Sequence, residues 1–292
     1  VSQRKLCLSF AAVVVCFFSQ QILADGLKAN IEYGEAAGEK LLLDAHVPEG
    51  AGPFPIAILI HGGGWGSGSK EGDITPLLDP LSAANVTWFS INYRLAPKNR
   101  WPACFEDVQT AIRWVKAHAA EYKGEPGKIA LIGYSAGGHL ASLAAVMADD
   151  GTRVQAVVCF AAPTDMPADT ARRGGLSVSM QALLDRPEVV DATTSKQLEK
   201  ISPIYHLKPG LPPFLLIHGT EDKSVSYVQS VNLQAKLKEN NVPCELVTLQ
   251  GASHRLREWE QFDPAYKDRM TDWLRKTLGG HVIVNGAPIS QP

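Results

Sequence analysis

One stretch constrains this chain more than any other. Residues Ile129 to Leu140 read Ile-Ala-Leu-Ile-Gly-Tyr-Ser-Ala-Gly-Gly-His-Leu: a short apolar run, a glycine-flanked serine, and then the alanine-rich segment Ala136 to Ala148. An apolar strand feeding a helix through so short a turn forces Ser135 into a strained conformation that lifts its hydroxyl clear of the backbone. Side chains at Gly133 and Gly137 would collide where strand and helix approach, so the turn demands glycine on both sides. With glycine near ~7% of residues and serine similar, the bare five-residue pattern arises by chance in roughly one chain in ten of this length. Its setting between a strand-like and a helix-like segment carries the weight. A serine displayed in this way is a candidate nucleophile, and the rest of the chain must then supply a base, an acid and donors for a developing negative charge.

Apolar runs and helix-like segments alternate through most of the sequence. Ala29 to Tyr33 and Lys40 to Val47 read as an antiparallel hairpin, and Ile56 to Ile60 as a strand buried on both faces. Helix Thr75 to Ala84, strand Thr87 to Asn92, helix Cys104 to Tyr122, strand Lys128 to Ile132, helix Ala136 to Ala148 and strand Gln155 to Phe160 follow. The stretch Pro163 to Pro203 breaks the rhythm, with a weak helical signal near Leu176 to Leu184, and is expected to form a cap-like insertion over the site. Strand Phe214 to Ile217, helix Tyr227 to Glu239, strand Cys244 to Leu249 and a last helix from about Asp263 to Leu278 complete the pattern. Such alternation predicts an α/β fold with a mostly parallel central sheet flanked by helices.

The 292 residues are 45% apolar and 20% charged, with a formal net charge of −2. No lysine- or arginine-rich run suggests a nucleic-acid partner. Arg4 and Lys5 precede the apolar stretch Leu6 to Phe18, followed by Ile22-Leu23-Ala24-Asp25, so residues 1–24 read as a signal peptide cut after Ala24. An uncleaved anchor or a buried helix is the alternative, but the apolar stretch is shorter than the ~20 residues that span a bilayer. The expectation is a secreted or periplasmic protein without stable membrane insertion, comprising a domain over residues 25–280 and a tail over 281–292. Cys104, Cys159 and Cys244 would remain after cleavage. An odd number describes no disulfide framework; Cys159 reads as core, and a Cys104–Cys244 bridge is left open. No cysteine–histidine cluster has metal-ligand spacing.

In an open α/β sheet, sites gather at the carboxyl ends of the strands. His61-Gly62-Gly63-Gly64-Trp65 follows one strand there, and its bare backbone lets N–H groups approach a ligand closely. His61 itself reads as a loop-holding residue. His254 follows the last strand and is the candidate base. After Phe214 to Ile217, Asp222 is the preferred acid with Glu221 as fallback. Asp165 also follows a strand and is assigned to pocket shape. The order Ser135, Asp222, His254 is that of the α/β-hydrolase fold.

At this point the sequence resembles a known family. His61 to Trp65, Asn92-Tyr93-Arg94-Leu95-Ala96-Pro97, Gly133 to Ala141 and His218-Gly219-Thr220-Glu221-Asp222 are similar to the α/β-hydrolase esterases of the hormone-sensitive-lipase-like group, nearest to secreted bacterial acetyl or feruloyl esterases. The resemblance covers roughly Asn30 to Leu278. It implies Ser135 as nucleophile, Asp222 as acid and His254 as base, with the N–H groups of Gly63, Gly64 and Ala136 as the oxyanion hole. It further implies that Asn92 to Pro97 and Asp107 buttress the site. Two departures stand out: the segment before Pro55 is too short for an N-terminal helical cap, which speaks against long acyl chains, and Ser226 stands near a position that commonly holds proline.

The expected activity is hydrolysis of short-acyl or aryl-acyl esters by serine acyl transfer, without a cofactor. Expected substrates are a small-molecule ester or an acylated plant polysaccharide, with Trp65 and Tyr134 as ring-binding surfaces. Trp101 reads equally as core. Competing readings are a generic carboxylesterase, a formamidase or serine peptidase, and a non-catalytic binding protein on the same scaffold. The sequence does not give the oligomeric state.

Overall fold

The computed structural model describes residues 22, 23 and 26–279; the expected signal segment, apart from Ile22 and Leu23, and the expected tail lie outside the described residues. The strands are β1 (Ile22–Leu23), β2 (Leu27–Ala36), β3 (Glu39–His46), β4 (Phe54–Ile60), β5 (Thr87–Ile91), β6 (Gly124–Tyr134), β7 (Ala156–Phe160), β8 (Phe214–Gly219) and β9 (Cys244–Leu249). They form one nine-stranded sheet in the order β1-β2-β3-β5-β4-β6-β7-β8-β9. The first strands pair antiparallel as far as β3–β5, and every pair from β4–β5 onward is parallel. The expected mostly parallel sheet is therefore present, edged by the expected hairpin.

The helices are α1 (Leu78–Ala83), α2 (Ala103–His118), α3 (Ala136–Val146), α4 (Met166–Arg173), α5 (Val178–Leu184), α6 (Ala192–Lys200), α7 (Val228–Glu239) and α8 (Tyr266–Thr277). Successive side chains of a strand point to opposite faces, and β4 divides accordingly. Ile56, Ile58 and Ile60 pack with Val108, Ile112 and Leu140 on one face. Ala57 and Leu59 pack on the other with Leu77, Trp259, Tyr266 and Trp273. Burial on both faces is why these strands read as unbroken apolar runs.

Two expectations need correction, and one question left open is answered. The helix expected over Cys104 to Tyr122 ends at His118 and finishes as a 3-10 turn, Ala119–Tyr122; that over Thr75 to Ala84 starts as a 3-10 turn, Thr75–Leu77. The stretch 163–203 holds three helices rather than one. Each begins at a side-chain cap: Asp165 accepts the N–H of Ala168, Ser177 that of Met180, and Asp191 that of Thr194. Capping of this kind is worth about 1 kcal/mol per helix, so the caps set these short polar helices where periodicity is weak. Cys104, Cys159 and Cys244 are free thiols, so the Cys104–Cys244 bridge is not formed. Among the described residues no helix is long and apolar enough to cross a membrane.

Candidate active site

Between β6 and α3 the backbone makes the sharp turn the sequence demanded. Ser135 has φ 54° and ψ −119°, a conformation in which a non-glycine residue is strained. A Cβ on Gly133 would lie 2.2 Å from the Gly137 carbonyl oxygen, and one on Gly137 would lie 2.0 Å from the Ile60 carbonyl oxygen. Neither position has room for a side chain. The same turn leaves Ser135 Oγ on the face of the sheet where β4, β8 and β9 end.

Those strand ends bring two more groups to the serine. His254, in the loop after β9, places Nε2 2.9 Å from Ser135 Oγ and Nδ1 2.6 Å from Asp222 Oδ2. Because a carboxylate only accepts, Nδ1 carries the proton and Nε2 presents its lone pair to the serine hydroxyl. Glu221, the fallback acid, instead pairs with Lys223 at the surface. The carboxylate of Asp222 is fully packed from both ends. Oδ1 accepts the N–H groups of Ser224 and Val225, both at 2.8 Å. Oδ2 also accepts Nε2–H of His218 at 3.2 Å, and His218 in turn takes a hydrogen bond from Ser230 at 2.8 Å through Nδ1. Burial alone would raise the Asp222 pKa, but the hydrogen bonds from His218, His254 and the backbone override it and hold the group well below the usual carboxylate range. His218 was read only as part of a motif; its contact to the acid is made four residues along the chain, and Ser230 of α7 holds its other ring nitrogen.

The glycine loop after β4 approaches the serine from the other side. Gly63 and Gly64 have φ 103° and 59°, values that suit glycine. Among the described residues, the N–H groups of Gly63, Gly64 and Ala136 have no hydrogen-bond partner within the fold, and all three residues line the same cleft as Ser135. The loop is braced beneath. His61 donates through Nδ1 to the Gly62 carbonyl at 2.7 Å and stacks on Tyr93, whose hydroxyl donates to the His61 carbonyl. Tyr93 is followed by Arg94, which grips the buried Asp107 carboxylate at 2.7 Å. Trp65 donates Nε1–H to Nδ1 of His139 at 3.1 Å, and His139 donates Nε2–H to the Ile201 carbonyl at 2.6 Å.

The cleft has a volume of about 510 Å³. Met166 and Met180 from the insertion form its apolar side, and Asp73, Asp169, Arg173 and Lys223 add charge. Arg173 also donates to the Ser224 carbonyl and so joins the insertion to the loop that holds Asp222. Trp65 and Tyr134 both line the cleft but are only 5% and 6% exposed. They are walls of the cleft rather than open stacking platforms. Asp165, expected to shape the pocket, caps α4 with its carboxylate and donates its N–H to Gln229 at 2.7 Å, and it is not among the residues lining the cleft. Asp169, one turn further along, faces the cleft in its place. Among the described residues no group of three or more His, Cys, Asp or Glu is placed to hold a metal ion.

Similarity to known proteins agrees with this geometry. The "Probable carboxylic ester hydrolase LipM" of Mycobacterium tuberculosis (strain H37Rv) is 36% identical over 200 residues, which cover 64% of this chain and 46% of that protein. The chain thus spans about half the length of the curated relatives it matches. Among solved structures, a truncated carbohydrate esterase from gut microbiota shares the fold with TM-score 0.75 at 24% identity, covering 88% of this chain and 98% of that one. A bifunctional GH43-CE protein of Bacteroides eggerthii matches with TM-score 0.75 at 26% identity, covering 88% of this chain and 39% of that one. The family model BD-FAE matches residues 43–237, a span that includes the glycine loop, the Ser135 turn and Asp222, and the chain belongs to the BD-FAE family.

Proposed function

We propose that this protein is a carboxylic ester hydrolase working by acyl transfer through Ser135. The observation that carries the reading is the unbroken relay Ser135 Oγ, His254 Nε2, His254 Nδ1, Asp222 Oδ2, with spacings of 2.9 and 2.6 Å. Ser135 Oγ attacks the ester carbonyl while His254 Nε2 takes its proton. The carbonyl oxygen becomes an oxyanion facing the N–H groups of Gly63, Gly64 and Ala136. Loss of one such donor typically costs about 3–4 kcal/mol of transition-state stabilisation. The tetrahedral adduct then collapses; the alcohol leaves with the proton from His254, and the acyl group stays on Ser135. Water repeats the sequence with His254 again as base, releasing the acid and restoring the serine. Asp222 holds the imidazole in the required tautomer and offsets the charge it gains.

The acyl group lies against Met166 and Met180, both nearly buried, which suits a short acyl or a flat aryl-acyl chain. Within that range the substrate we favour is an acetyl or feruloyl ester on a plant polysaccharide. Its support is the BD-FAE family and the polar, charged rim of the cleft; the carbohydrate esterase of like fold adds analogy only. The basic and apolar leader over residues 1–24 supports secretion or a periplasmic location.

The test is hydrolysis of phenyl acetate, methyl ferulate and acetylated xylan by the purified chain and its Ser135→Ala variant. Turnover by the native chain should fall by about 10⁶ in the variant. A Ser135→Ala protein that keeps its activity and its fold overturns the assignment.

A further inference from the structure

We propose that Asp73 determines specificity for the leaving alcohol, its carboxylate accepting hydroxyl hydrogens from a polyhydroxylated alcohol such as a sugar. This rests on the esterase reading above and adds to it the chemistry of the alcohol side.

Three observations meet at Asp73. First, Asp73 lines the cleft, yet among the described residues no cation is paired with its carboxylate. Its Oδ1 accepts the N–H of Gly62 at 3.1 Å. By contrast Asp169, also in the cleft, is tied to both Arg172 and Arg173. Second, Asp73 is bonded to Gly62, the residue directly before the oxyanion donors Gly63 and Gly64. A negative group there opposes the charge that develops on the substrate oxygen. A residue that works against the local chemistry marks a function elsewhere in the site.

Third, the carboxylate is on the side where the alcohol must be. The departing alcohol takes its proton from His254 Nε2, so it lies towards His254. Tyr134 identifies that side: its hydroxyl donates to the His254 carbonyl and its ring centroid is 5.2 Å from the imidazole. Asp73 is against Tyr134 across Gly62, since a Cβ on Gly62 would be 2.7 Å from Asp73 Oδ2 and 2.9 Å from Tyr134 Cδ1. The other end of the loop faces the insertion, where a Cβ on Gly64 would be 2.7 Å from Ser179 Oγ. The acyl and alcohol sides are thus separated by the loop itself. A carboxylate with an uncommitted oxygen beside the alcohol is a strong acceptor for a hydroxyl, and an aryl or alkyl alcohol gives it nothing to accept.

The experiment compares native protein with Asp73→Asn, whose amide oxygen can still accept the Gly62 N–H. The substrates are a monoacetate of methyl β-xyloside, cyclohexyl acetate as its hydroxyl-free counterpart, phenyl acetate and acetylcholine. The expected result is that kcat/KM for the xyloside acetate relative to cyclohexyl acetate falls about tenfold in Asp73→Asn, chiefly through KM. Equal losses on all esters make Asp73 a strut for the glycine loop and overturn the proposal. A loss greatest for acetylcholine makes it a cation subsite and overturns it too. If the native protein hydrolyses none of the four, the esterase reading itself fails and takes this proposal with it.

Discussion

Asp222 carries two imidazoles on a single oxygen, and its other oxygen is held by two backbone N–H groups. Every position around it is a donor, so replacing it by asparagine must turn an NH₂ group against donors whichever way the amide lies. His254 then loses its tautomer while the cleft keeps its shape. Asp222→Asn should lower kcat on phenyl acetate by about 10⁴ with little change in KM; steady-state kinetics showing less than a tenfold loss contradict the relay. His139 gives a second prediction, in stability rather than rate. Burial pushes its pKa from the usual 6.5 down to about 4, with the Ile201 carbonyl opposing. Between those values the unfolded chain binds a proton that the folded chain refuses. Stability from this residue is therefore complete above pH 6.5 and lost as pH falls towards 4, by at most about 3 kcal/mol. Urea midpoints should drop over that interval more steeply in the native protein than in His139→Gln, and parallel curves contradict the assignment. Of these residues, Ser135, Asp222 and His254 were legible because each follows a strand in the right order. His218 and Asp73 were not: Ser230, which orients His218, comes from α7, and Gly62, which bonds Asp73, lies eleven residues before it. Asp165 also caps α4, a role its place before Met-Pro signals.

At the scale of elements, the turn from β6 to α3 is fixed by contacts rather than by preference. A methyl group on Gly137 meets the Ile60 carbonyl oxygen at 2.0 Å, which is backbone and cannot yield. Gly174, which ends α4 at φ 82°, has open space around its Cα. The two glycines therefore predict opposite outcomes. Gly174→Ala should cost only about 1–2 kcal/mol, the penalty of a left-handed backbone, whereas Gly137→Ala should yield no folded protein. Chemical denaturation of the first and circular dichroism of the second check this. The central strands β4, β5, β7 and β8 were readable for a related reason: each is covered on both faces and is apolar almost throughout. Helices α4 and α6 escaped notice because a short, half-exposed helix needs few apolar residues, and its boundaries rest on Asp165 and Asp191 instead.

At the scale of the whole molecule, the insertion is a layer fastened at its base. Gln229, buried on α7, accepts the N–H groups of Thr164 and Asp165 at 2.8 and 2.7 Å and donates to the Asp165 carbonyl. The far end returns to the same point, where Ser202 accepts the N–H of Met166 and the Ile204 N–H reaches the Thr164 carbonyl. Sequence alone indicated that residues 163–203 cover the site, but a fastening made by one glutamine more than sixty residues downstream leaves no local trace. Gln229→Leu keeps the volume and leaves two backbone donors without partners. Each such loss costs about 1–3 kcal/mol when buried. The cost falls on the layer that carries Met166 and Met180, so opening should be local before it is global. In hydrogen exchange, residues 166–200 of Gln229→Leu should lose protection while 129–146 keep theirs, and KM for a short ester should rise more than kcat falls. Uniform loss of protection across both segments would show instead that the insertion and the sheet open as one unit.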